Sequence, residues 1–167
     1  IGHLYFFNFV NGPFQGKMDG PTKKIVNPQL MPRALWWFRY GALWTWITGV
    51  LMMLTIFYMG HAAIEGGGRP SLAAYGLLLV TLLVAPFVYD ALIGALGANM
   101  NTAAAVGLVA SIVTMGLYEH VGGFGYRGVV IHLGALFGTL MAYNVWFRIW
   151  PAQQKIITAV RDGQAPD

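Results

Sequence analysis

The sequence predicts an all-α integral membrane protein, a polytopic helical bundle of four full spans plus a truncated first span. Three observations carry that prediction. Hydrophobic residues make up 57% of the 167 and Asp, Glu, Lys and Arg only 10%. A water-soluble domain carries about 25% charged residues, so this surface is not built for water. The apolar runs reach about 20 residues, long enough for a helix to cross a hydrocarbon layer about 30 Å thick. They are also continuous, without the ~10-residue alternating segments of a membrane β-barrel.

The segments follow in order within a single transmembrane domain. The first, about residues 1–12, ends at the turn residues Asn11 to Pro13 and reads as the second half of a span that begins before Ile1. The second, about 34–60, opens on "MPRALWWFRYGALWTWITG" and is closed by a glycine-rich stretch, "EGGGRPS". The third, about 72–96, contains Pro86, which lacks an amide hydrogen and should kink the helix. The fourth covers about 102–118. The fifth, about 126–150, is expected to stop before Pro151 for the same reason.

Basic residues collect on the cytoplasmic flanks of membrane helices. Threading the spans puts eight of the ten Lys and Arg on one side, all but Arg69 and Arg127. The expected location is therefore a bacterial cytoplasmic membrane with the C-terminus inside. The formal charge of +4 is a topology signal, and nucleic acid is excluded as a partner. Trp36, Trp37 and Tyr40 then fall at headgroup depth as an aromatic belt, where Arg33 can reach phosphate.

Ionisable groups at membrane depth are costly and need a partner or a cavity. Arg39 lies about one and a half turns deeper than the belt, and Asp90 approaches the same level on the third span. A buried Arg39–Asp90 ion pair is expected, serving either helix packing or a proton or quinone site. His132 lies about two turns inside the fifth span, in "VVIHLGALFG", and His3 lies nearer the middle of the first. Both are candidate haem b ligands, because an axial His among small residues leaves room for a flat ring. Otherwise His132 should donate to a backbone carbonyl or to a hydroxyl such as Ser111 or Thr114. His61 and His120 sit at outer helix ends, where water or headgroups satisfy them. Haem b, a quinone and a bound lipid are the candidate ligands; no catalytic residue and no metal site are read.

Small residues mark close helix packing. Gly134 and Gly138 form one such face, and Ala103, Gly107 and Ser111 form another at four-residue spacing. Gly123, Gly125 and Gly128 match G-x-G-x-x-G, but no strand precedes them, so the dinucleotide reading fails on context. With no cysteine, thiolate metal sites, disulfides and c-type haem attachment are excluded within these residues.

Three stretches, "IGHLYFFNFVNGP", "MPRALWWFRYGALWTWITG" and "NVWFRIWPAQQKII", resemble the urate-oxidase N-terminal family. This is the membrane domain at the N-terminus of bacterial membrane-bound urate hydroxylases. The resemblance is sequence-specific at both ends and in the second span, and one of general character over about 60–125. It implies a polytopic helical bundle, fused in some relatives to a cytochrome c domain that has no counterpart among residues 1–167. Two functions compete. One is a structural or accessory subunit packed against other membrane subunits of a respiratory or photosynthetic complex. The other is a redox subunit handling haem b or quinone. A small transporter is a third option, for which repeats or broken helices would be needed.

Overall fold

The structure, a computed structural model, describes residues 5–97 and 99–162. Helix α1 begins as a π-helical stretch, Phe6–Asn11, and continues as Gly12–Lys17. Four helices long and apolar enough to cross a membrane follow: α2 (Gly20–Met59), α3 (Leu72–Leu96), α4 (Met100–His120) and α5 (Tyr126–Arg161). This is an all-α polytopic membrane protein. Most of its large apolar side chains face outward, Leu83, Leu108 and Ile112 among them. In water such a surface would aggregate, whereas in lipid it needs no cover.

Two helices extend past their apolar runs. Helix α2 starts at Gly20 rather than at Ala34, because a cap outweighs the polar composition. The Asp19 carboxylate accepts the Thr22 amide at 3.2 Å, and Pro21 occupies the first turn, where its missing donor costs nothing. The hydrogen bonds from Thr22 hold the Asp19 carboxyl below its usual range. The cap is therefore complete above the ordinary carboxylate pKa and is lost as pH falls through the lowered value. Pro28 and Pro32 lie inside α2 four residues apart, so their missing donors fall along one strip of the helix.

Helix α5 runs through Pro151, contrary to the expected stop, and a π-turn explains how. Val145–Ile149 is π-helical, and Pro151 sits in the first turn of the α-helix that resumes after it. The wider turn moves the carbonyl that the proline ring would strike. The same pairing recurs twice. Val80–Val84 precedes Pro86, and Phe6–Asn11 precedes Pro13.

The chain divides into two compact units, one of residues 1–43 and 144–167, the other of residues 44–143. In the first, Gln15 donates from Nε2 to the Asn27 side chain, and Phe7 meets Phe38 edge-on at 5.5 Å, so α1 is fastened to α2. In the second, the buried core is Met53, Tyr58, Ala63, Ala74, Leu78, Tyr118, Phe124 and Val129. It gathers where the loop after α2 meets the loop before α5. Gly125 donates its amide to the Ala63 carbonyl at 3.0 Å and so ties these loops together.

The glycines that matched a nucleotide motif have structural reasons here. Gly123 has φ +66°, in the left-handed region that disfavours other residues. At Gly125 an added Cβ would stand 3.0 Å from the Glu65 Cβ, and at Gly128 one would stand 2.3 Å from the Ala63 carbonyl oxygen. The motif is a tight loop and a close helix approach.

Candidate functional site

The site is built around His132, whose side chain is fully enclosed. It projects from α5 one turn below Gly128, and Nδ1 lies 2.7 Å from that residue's carbonyl oxygen. A carbonyl can only accept, so Nδ1 carries the proton and donates. In the neutral ring Nε2 is then an acceptor, and the Tyr58 hydroxyl of α2 lies 2.7 Å from it. The same hydroxyl lies 3.0 Å from the Ala74 carbonyl of α3. Tyr58 thus offers one proton to two acceptors, and the chain Gly128–His132–Tyr58–Ala74 joins three helices.

A second chain runs beside it. Thr81 donates to the Leu77 carbonyl at 2.7 Å, which uses its only proton. The Tyr118 hydroxyl, 2.6 Å away, is therefore the donor to Thr81 Oγ1. Aromatic rings close around the imidazole. Phe124 stacks on it at 3.9 Å and 24°, Tyr118 lies at 5.3 Å and Tyr58 at 5.7 Å between ring centres. All four long helices contribute to this node. Thr81→Val should leave the buried Tyr118 hydroxyl without an acceptor and cost about 1–2 kcal/mol, with Thr81→Ser recovering most of it. Thermal unfolding in detergent checks this; equal losses for Val and Ser would show that the methyl group, not the hydroxyl, matters.

A haem does not fit on His132 in this arrangement. Iron would need Nε2, and the Tyr58 hydroxyl stands 2.7 Å from it. The other candidate ligand, His3, lies outside the described residues. The hydroxyl that meets His132 is Tyr58 rather than Ser111 or Thr114. Those two turn back to their own helix, to Gly107 and Ala110, at 2.8 and 2.7 Å.

The two residues of the expected ion pair fall in different units. Arg39 belongs to the first unit and Asp90 to the second. Within its own unit Arg39 lies against aromatic rings, its guanidinium carbon 3.4 Å over the Trp150 ring and 5.3 Å from that of Trp146. Tyr40 meets Trp146 edge-on at 5.5 Å. A guanidinium is weakly hydrated and planar, so ring faces partly replace the water it loses. Among the described residues the glycines of the expected packing faces have open space. An added Cβ at Gly107, Gly134 or Gly138 would meet nothing within 4 Å, and Ala103 and Ser111 are half-buried.

Sequence reasoning passed over Tyr58, Thr81, Tyr118 and Phe124. A signal was present for three of them: a hydroxyl in an apolar span needs an acceptor within the protein, as an imidazole does. Pairing them required the relative rotation of four helices.

Four long apolar helices joined through a buried polar node define a polytopic helical membrane domain. Residues 15–167 match the Urate oxidase N-terminal family, and the chain belongs to that family. No curated protein and no solved structure matches it.

Proposed function

We propose that the chain is an accessory subunit of a bacterial cytoplasmic membrane, packed through its small-residue faces against a larger electron-transfer complex. The observation that carries this reading is the open glycine surface. Gly107 on α4 and Gly134 and Gly138 on α5 leave backbone exposed, and among the described residues no other element comes within 4 Å of a Cβ at any of them. Glycine inside a helix costs about 1 kcal/mol relative to alanine, and close approach of a second helix recovers that cost. The polar groups at depth support the same reading, since His132, Tyr58, Thr81 and Tyr118 satisfy one another. The basic flanks favour a cytoplasmic C-terminus.

The test uses native membranes opened with a mild detergent. The protein should migrate in a complex larger than itself. The double variant Gly134→Leu/Gly138→Leu should release it while leaving its own stability unchanged or raised by up to about 2 kcal/mol, since each open helix glycine gives way to a better helix former. Migration of the wild type as a lone chain, or retention of the variant in the complex, would sink the proposal. A reduced-minus-oxidised spectrum addresses the alternative, a haem b or quinone-handling redox subunit related to urate hydroxylase. One equivalent of haem b in the isolated protein would favour that alternative.

A further inference from the structure

Gly60–Gly67 and Gly125–Arg127 enclose a cleft of about 440 Å³ at the loop end of the second unit, lined by His61, Glu65, Tyr126 and Arg127 with Gly66 and Gly67. The volume falls within the roughly 300–1,000 Å³ of ligand-binding clefts. Glu65 and Arg127 share this cleft, yet among the described residues neither side chain takes part in an ion pair or hydrogen bond. Opposite charges lining one cleft without meeting suit a ligand that carries both signs.

The third polar group has its own constraint. His61 adopts φ +58°, unusual for a residue with a side chain. Its Nδ1 is sealed from solvent and has no partner among the described residues. With Nδ1 enclosed, Nε2 is the ring nitrogen left to meet a ligand. His61 and Arg127 therefore supply donors for an anion, and the first-turn amides of α5 lie beside them. Glu65 supplies an acceptor for a cation. Its backbone is held against Gly125 closely enough that a Cβ there would stand 3.1 Å from the Glu65 nitrogen. The backbone that carries Glu65 is thereby held at the start of α5.

The position selects the source of such a ligand. Both segments join spans, and Tyr126 beside the cleft is 84% exposed at the head of α5, where an aromatic ring marks the boundary of the bilayer. We propose that this cleft binds the headgroup of a zwitterionic phospholipid bearing a primary ammonium. Its phosphodiester lies on Arg127 and His61, and its ammonium lies on Glu65.

Binding can be measured by native mass spectrometry of the full chain in detergent. The probes are dihexanoyl phosphatidylethanolamine, dihexanoyl phosphatidylglycerol and tail-free glycerophosphoethanolamine. The ethanolamine lipid should bind more tightly than the glycerol lipid. Glu65→Gln should weaken the ethanolamine lipid about tenfold and leave the glycerol lipid unchanged or tighter, reversing the preference. Arg127→Gln should weaken both. Both positions are exposed, and unchanged thermal unfolding confirms that the variants fold. Glycerophosphoethanolamine competing as well as the lipid would support the same contacts with the acyl chains contributing nothing. Glu65→Gln shifting both lipids alike, or Arg127→Gln shifting neither, would overturn the proposal.

Discussion

Gly128→Ala is expected to be among the most damaging single substitutions in this chain, although it adds only one methyl group. The new Cβ would stand 2.3 Å from the Ala63 carbonyl oxygen and 2.9 Å from the Phe124 Cβ. The first of these is backbone and cannot swing aside. Relief requires the loop after α2 to move off α5, which strains the bond from the Gly125 amide to the same carbonyl at 3.0 Å. It also shifts the Gly128 carbonyl that receives the His132 proton. Overpacking of this kind, with a buried hydrogen bond disturbed, should cost roughly 3 kcal/mol or more. Gly134→Ala is the matched control on the same helix, because its Cβ meets nothing within 4 Å. It should be neutral or stabilise by up to about 1 kcal/mol. Thermal unfolding of both variants in detergent decides the matter; similar melting temperatures would refute the close approach at Gly128.

His132→Ala should rank beside it. The imidazole is fully enclosed, so truncation opens a cavity under Phe124 and removes one of the two acceptors that face the Tyr58 hydroxyl. Filled-core truncations cost about 2–5 kcal/mol, and this site lies within a packed aromatic cluster. Tyr58→Phe should cost less, about 1–3 kcal/mol, by leaving Nε2 and the Ala74 carbonyl without their shared donor. If the two side chains act as one unit, the double variant Tyr58→Phe/His132→Ala loses less than the sum of the singles. Strict additivity would show that they are merely neighbours.

The sequence revealed an all-α bundle of long apolar helices and the need for a partner at His132, since both follow from the cost of polar groups in hydrocarbon. It did not reveal which partner. Tyr58 lies within the π-turn Met53–Met59, so the usual 100° per residue misplaces its side chain around α2. Helix extents were hidden for a related reason. The extension of α2 back to Gly20 depends on one aspartate cap, and that of α5 beyond Pro151 depends on a π-turn with no residue signature of its own. The glycine faces were read as contacts, but spacing alone does not say whether the contact lies inside the chain. At Gly134 and Gly138 no described residue stands within 4 Å of an added Cβ.

The coupling of π-turns to prolines has a consequence for how such a sequence can change. A π-turn holds one residue more than the α-helix around it, so each is equivalent to an insertion absorbed within a helix. Removing one residue from Val145–Ile149 would restore regular helix but bring the Pro151 ring back against a carbonyl of the preceding turn. With Pro151 already replaced by alanine, the same deletion would be far milder. The two changes are thus tolerated in one order and not in the other, and Val80–Val84 with Pro86 carries the same epistasis.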